Sequence, residues 1–267
     1  MELVKAHAYG NDFLLVNADA IARTTDVPAL ARRVCDRHRG IGADGLMVVE
    51  ETADGARTRL LNADGSHSEI SGNGTRCVAA WLARVRQLSA GGHVGIETEA
   101  GIKRVDILSI EGPRYTCRAQ MGQPEDLREV VLSAAGEDVT AVVLRVGNPQ
   151  CVVLGGAAGL TTQRLHTVAA ALAVHPFFPE GTNVELATVE APGRVRILIW
   201  ERGVGPTEAS GTGACAAAVA AAAYGGAGRS VEVMAPGGTQ RVEWTDSGLA
   251  LTGWAELTGV VTWWGPA

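Results

Sequence analysis

The sequence predicts an α+β protein built from two related, strand-rich halves, each carrying one apolar helix. Three observations carry that expectation. The stretch GNDFLLVN, beginning at Gly10, returns as GNPQCVVL, beginning at Gly147, so Asn11 and Asn148 stand 137 residues apart. SGNG at Ser71 returns as SGTG at Ser210, 139 residues on, and two separate matches at nearly one offset point to an internal repeat. Short apolar or alternating runs dominate the rest, without the regular βαβ alternation of a doubly wound parallel sheet.

In the first half, LVKAHAY and FLLVN read as strands flanking the GND turn. DVPALARRVCDRH reads as a helix, with Asp26 as N-cap, an early proline and apolar residues at helical spacing. GLMVVE and RTRLLNA are strands, and a helix runs from Gly72 to about Gln87 with Ser71 at its cap. HVGIETEA, IKRVDILSI and YTCRAQM resume the strands. The second half repeats the order: strands AVVLRVG and CVVL, a helix near TTQRLHTVAAALAV, then strands NVELATV and RVRILIW. A helix from Gly211 to about Tyr224 follows, then strands SVEVMA, TQRVEW and LALTGWAEL. Gly122 and Pro124 punctuate RAQMGQPEDL, which divides residues 1–120 from 121–256; the last strand, VVTWWG, is placed to return to the first half, carrying 257–267 with it.

Composition narrows the function. The chain has 267 residues, 46% of them hydrophobic, enough to bury the cores of two modest domains. A net charge of −6 without a basic cluster argues against nucleic acid or an anionic membrane as partner. MELVKAHAYGNDFLLVN lacks the pattern of a signal peptide, and the alanine-rich run from Gly213 is too short to span a bilayer, so a cytoplasmic location is expected. Five widely spaced cysteines without CxxC read as free, buried thiols, and six histidines without HxH, HExxH or HxxxH spacing give no metal site. The only lysines, Lys5 and Lys103, have no phosphate cradle nearby for a pyridoxal cofactor, so no cofactor is expected.

The repeated turns carry the chemistry. A helix start presents backbone N–H groups without partners and a partial positive charge. Glycines allow an anionic group close approach. Two such starts facing one another across an interdomain cleft can clamp one carboxylate from both sides. Neither copy is a GxxxxGK[ST] phosphate loop.

HAYGNDFLLVN, RHRGIGADGL, LLNADGS, SGNGTRC, GNPQCVV, GTNVELA, WERGVG and ASGTGACAA, taken together and in this order, resemble the diaminopimelate epimerase family. The resemblance implies two pseudo-symmetric domains, each a mostly antiparallel sheet wrapped around a central helix. It also implies cofactor-free and metal-free epimerisation of a small amino acid, one cysteine removing the α-proton and another returning one on the opposite face. Lysine and peptidoglycan precursor biosynthesis is the implied setting, and a homodimer is an open option. The family's two reactive cysteines align with Ser71 and Ser210, which take the catalytic positions. Asn11, Asn62, Asn148 and Asn183 match the family's substrate-binding asparagines, Glu201 and Arg202 its ER pair, and Gly72-Asn73 and Gly211-Thr212 its two amide cradles. Other departures surround the reacting carbon: Gln150 replaces a histidine, Pro206 a glutamate and Gly45 a glutamine. A serine hydroxyl is a poorer base than a thiolate and needs a partner base. Three readings follow: a diaminopimelate epimerase-type isomerase with activity reduced or lost, a lyase dehydrating a hydroxylated amino acid, and a non-catalytic amino-acid-binding homologue. Cys77 and Cys215 lie farther into their helices and read as packed core.

Overall fold

The structure is a computed structural model that describes residues 1–68, 71–99 and 101–265. Ala100, at the end of the expected HVGIETEA strand, and the last two residues of the 257–267 return lie outside them. The chain divides into two compact units, one formed by Met1–Ala119 with the chain from Gly253 onward, the other by Gln120–Thr252.

In chain order, the first unit holds β1 (Glu2–Ala8), β2 (Asn11–Asn17), α1 (Val27–Cys35), β3 (Gly45–Thr52), β4 (Gly55–Asn62), β5 (His67–Ser68), α2 (Gly72–Val85), β6 (His93–Thr98), β7 (Gly101–Glu111) and β8 (Arg114–Gly122), whose last residues pass into the second unit. The second continues with β9 (Glu125–Ala134), β10 (Glu137–Val146), β11 (Asn148–Leu154), a helical run α3 (162–173), β12 (Asn183–Ala191), β13 (Arg194–Glu201), β14 (Gly205–Thr207), α4 (Gly211–Tyr224), β15 (Ser230–Ala235) and β16 (Gly238–Thr245). A long final strand, β17 (Gly248–Thr262), begins in the second unit against β16 and ends in the first against β1.

In the first unit the pairings run β1-β2-β3-β4-β6-β7-β8-β17 and return to β1, a closed ring of strands. Within it α2 packs against β1, β2, β6 and β7. The helix is buried on nearly every side, from Gly72 through Ala80 and again at Leu82 and Ala83. Its small residues allow strands to approach all round. In the second unit the order is β9-β10-β11-β12-β13-β15-β16-β17, and α4, buried from Gly211 to Ala221, packs against six of those strands. Most pairs are antiparallel; β2–β3, β4–β6, β11–β12 and β13–β15 are parallel.

The repeat extends to individual residue pairs. Phe13 stands opposite Gly45 in β2–β3, and Gln150 opposite Asn183 in β11–β12. Gly55 stands opposite Gly95 in β4–β6, and Arg194 opposite Glu232 in β13–β15. The two halves share one register, so a residue in one half can be compared with its counterpart in the other.

Helices begin where the sequence places them. Asp26 Oδ1 accepts from the Ala29 N–H at 2.8 Å, and α2 and α4 start directly after Ser71 and Ser210. The strands β5, β9 and β14 have no counterpart among the expected elements, and one expected helix differs in kind. β9 begins inside the punctuating RAQMGQPEDL stretch, and its charged first half hides the alternation that sets Val130, Leu132 and Ala134 toward the core. The helix expected near TTQRLHTVAAALAV contains a π turn over Leu165–Ala169, whose wider hydrogen bonding leaves no mark on residue spacing.

In the β4–β6 pair that closes the first ring, Gly55 is the tight position, while a Cβ on Gly95 would meet nothing closer than 3.5 Å. A Cβ on Gly55 would fall 1.7 Å from the Gly95 carbonyl oxygen, a backbone atom with no room to yield. In the second unit the counterparts of Gly55 and Gly95 are Arg194 and Glu232, two long side chains. Gly55→Ala is expected to cost about 1–3 kcal/mol in a urea unfolding titration, the usual penalty of forced overpacking. A variant as stable as the wild type would show that this pair closes loosely.

Candidate active site

Both helix starts use the same cap. Ser71 is extended (φ −129°, ψ 119°) and its Oγ accepts from the Gly74 N–H at 3.0 Å. Ser210 is extended (φ −134°, ψ 132°) and its Oγ accepts from the Gly213 N–H at 3.2 Å. Each hydroxyl therefore sits at the positive end of a 14-residue helix with its own hydrogen still available to donate. Ser210 is buried, 3% exposed, while Ser71 is partly exposed.

In the first unit a chain of side chains leads from the β1–β2 turn into the α2 cradle. Asn11 Nδ2 donates to Asp44 Oδ2 at 2.8 Å, Asn73 Nδ2 donates to Asn11 Oδ1 at 3.1 Å, and Arg76 donates to Asn73 Oδ1 at 2.5 Å. Asn11 and Asn73 are thus brought together beside Gly72. Asn62 instead donates to Ser66 Oγ at 2.9 Å within its own turn.

Asp12 anchors that network. Arg37 donates to both of its carboxylate oxygens, at 2.7 and 3.1 Å, and Lys5 Nζ lies 2.5 Å from Oδ2. Arg37 also reaches Asp44 at 2.7 Å. Burial alone would raise the Asp12 carboxyl, but the hydrogen bonds and charges of Arg37 and Lys5 outweigh it and hold the group at about 2, against 3.8 for a free aspartate. A depressed carboxyl stabilises the fold above its unfolded pKa and loses that contribution as pH falls through the folded one. Stability is therefore expected to drop by about 2 kcal/mol between pH 4 and pH 2. Asp12→Asn should flatten that part of the denaturation-versus-pH curve; an equally steep curve in the variant would place the acid sensitivity elsewhere.

In the second unit, Asn183 Oδ1 accepts from the Arg202 backbone N–H at 2.9 Å, and the Arg202 guanidinium donates to the Glu180 carbonyl at 2.8 Å. Asn183 and Arg202 are thus fixed to each other. Asn148 accepts from Gln150 Nε2 at 2.6 Å, so these two side chains of β11 are tied together. Gln240 donates to the Ser210 carbonyl at 3.2 Å, tying β16 to the cap. Gly211 and Thr212 precede the capped Gly213, as Gly72 and Asn73 precede Gly74. Glu201 closes β13 and carries charge toward the buried Glu185. The Gly45 position is tight: a Cβ there would stand 2.9 Å from the Leu61 carbonyl oxygen.

All five cysteines are free and buried. Burial pushes the Cys77 thiol well up and the Cys117 thiol to about 12, so these groups pack and do not act as thiolates at neutral pH.

The family profile described as Diaminopimelate epimerase matches residues 3–126 and 142–264, two segments that together take in both capped helices. The chain belongs to the diaminopimelate epimerase family. It is 44% identical over 260 residues to a diaminopimelate epimerase of Desulforudis audaxviator, covering 92% of each chain. It is 40% identical over 270 residues to one of Moorella thermoacetica, covering 95% of each. Among solved structures, a predicted epimerase of Pseudomonas aeruginosa shares the fold with a TM-score of 0.77 at 13% identity, over 99% of both chains. A hydroxyproline epimerase of Agrobacterium vitis, with trans-4-hydroxy-L-proline bound, matches at a TM-score of 0.71 and 17% identity over 98% of this chain and 91% of that one. The chain is therefore a member of an enzyme family of epimerases. Among the described residues no helix is long and apolar enough to cross a membrane.

Sequence reasoning passed over Asp12, Arg37, Asp44, Arg76 and Glu185. Asp12 meets Arg37 and Asp44 across 25 and 32 residues, while Arg76 bonds Asn73 only three residues away on its own helix. Glu185 had a readable signal: it is the one ionisable residue in the apolar strand NVELATV, and the repeat sets it against Met47.

Proposed function

We infer that this diaminopimelate epimerase-type isomerase interconverts LL- and meso-diaminopimelate by two-base transfer of the α-proton, with Ser71 and Ser210 in the two positions. The observation that carries the reading is the pair of identically capped glycine-rich helix starts within a chain of this family. The amides at Gly72-Asn73 and Gly211-Thr212 supply donors for the α-carboxylate, where charge grows as the proton leaves. Arg202 offers a planar cation for the distal carboxylate, and Asn11, Asn62, Asn148 and Asn183 orient the ammonium and carboxylate groups. The α-carbon is a feeble acid, so exclusion of water matters, and the buried Ser210 meets that need better than the partly exposed Ser71. Hydroxyls in place of thiols make turnover slower than in a cysteine-bearing enzyme. A cytoplasmic setting suits a biosynthetic reaction of this kind.

The test is incubation with LL-diaminopimelate in deuterated water, with the α-proton followed by NMR. Deuterium uptake together with a meso product supports the reading. Saturable binding without uptake would replace it with a non-catalytic binding protein, and water loss from a hydroxyproline-type substrate would replace it with a lyase.

A further inference from the structure

Glu185, the third residue of β12, lies beneath the start of α4. Its side chain is fully buried and neither carboxyl oxygen has a hydrogen-bond partner. A Cβ on Gly213 would stand 2.4 Å from Glu185 Oε1 and 3.1 Å from Ser210 Cβ, so the carboxyl and the capping serine crowd the same point. Glycine at 213 is what admits the carboxyl there.

The first unit provides an internal control. Met47 follows Gly45 by two residues, as Glu185 follows Asn183, and Gly45 and Asn183 hold the same register position. A Cβ on Gly74 would stand 2.6 Å from Met47 Sδ and 3.3 Å from Ser71 Cβ, the same arrangement with a thioether in place of the carboxyl. Packing under the helix start therefore asks only for a flexible side chain of this size. A buried, unpaired carboxyl is costly by comparison, and nothing in the fold calls for it.

We propose that Glu185 is the positioning acid–base that exchanges a proton with the Ser210 hydroxyl, equipping that serine, and not Ser71, to move a proton at the substrate α-carbon. The inference rests on the epimerase reading above. In one direction the α C–H bond breaks and its electron pair stays on carbon. The proton forms a bond to Ser210 Oγ, and the proton Ser210 already held passes to the Glu185 carboxylate. In the other direction the carbanion takes the Ser210 proton and the Glu185 acid replaces it. Charge and protons balance without a further reactant. Burial, with the Glu201 charge on β13 acting in the same sense, raises the proton affinity of Glu185, which makes its carboxylate a stronger base. The other ionisable group it bears on is the Cys151 thiol on β11, which burial keeps protonated.

Two measurements on the full chain test this. The first needs no turnover: infrared spectra of the wild type, Glu185→Gln and Ser210→Ala. With diaminopimelate bound, a protonated-carboxyl band absent from Glu185→Gln and shifted in Ser210→Ala supports the proton exchange; a band that Ser210→Ala leaves in place overturns it. The second is deuterium exchange from diaminopimelate across pH. Glu185→Gln is expected to lower kcat about a hundredfold, with KM within about twofold, and to remove one limb of the pH profile. Unchanged kcat and profile overturn the proposal. Glu185→Met, which copies the first unit, should fold as well as the wild type and be as slow as Glu185→Gln. A wild type that exchanges no deuterium defeats the epimerase reading, while the infrared result still decides the proton sharing.

Discussion

Ser71→Cys combined with Ser210→Cys is expected to raise α-proton exchange of diaminopimelate by about 10²–10⁴-fold, the span that a well-matched acid–base group contributes. Both side chains sit at the N-cap of a long helix, where the field favours an anion. A hydroxyl does not ionise there at neutral pH, but a thiol with a free pKa of about 8.5 falls toward neutrality. The two single variants separate the faces. Each should speed deuterium uptake from the stereoisomer whose α-proton faces the new thiol, while only the double variant should also speed inversion. Ser210→Cys meets the more buried environment and the Glu185 carboxyl, so its thiol ionises less readily than that of Ser71→Cys. Each exchange weakens a cap by about 1 kcal/mol, which thermal melts will register. Initial rates by NMR in deuterated water check the outcome. A double variant no faster than the wild type would locate the deficit in Gln150, whose amide engages Asn148 where the family pattern has a histidine.

The sequence carried the fold further than the site. Repeat offsets alone placed Ser71 with Ser210 and Asn11 with Asn148, and the strand registers extend the same equivalence to Gly45 with Asn183 and Gly55 with Arg194. Caps were legible because a serine before glycines acts on the backbone three residues away. β9 was not, since Glu125, Asp126, Arg128 and Glu129 fill its first half and leave only Val130, Leu132 and Ala134 to show an apolar face. The anchoring network was not legible either. Asp12, Arg37 and Asp44 meet through side chains set 25 and 32 positions apart from Asp12, and spacing encodes only neighbours on one strand or helix. Glu185 differs from these: its strand was read correctly, and its meaning emerges only when it is set against Met47 in the other half.

Arg76→Ala is expected to cost about 3–5 kcal/mol, the range for stripping a partner from a buried charged contact and leaving a hole. Arg76 is fully buried in α2, with its guanidinium carbon 5.8 Å from the Tyr9 ring centroid and 3.4 Å from where a Cβ on Gly253 would stand. It donates to Asn73 Oδ1, so truncation also frees the asparagine that holds Asn11. Arg76→Met restores most of the volume but not the hydrogen bond, and Arg76→Lys restores the charge without the planar fork; both should fall between wild type and alanine. Urea titrations give the stability order. A loss below about 1 kcal/mol in Arg76→Ala would mean that the site collapses without strain. One helix offset on, the counterpart of Arg76 is Cys215, equally buried and far smaller. A helix of this kind can therefore be packed without a guanidinium at that position, and the arginine is tied instead to the asparagine chain that only the first unit possesses. Arg76→Met should accordingly raise KM for diaminopimelate more than it lowers kcat, because it loosens the orientation of Asn73 and Asn11 without touching either capping serine.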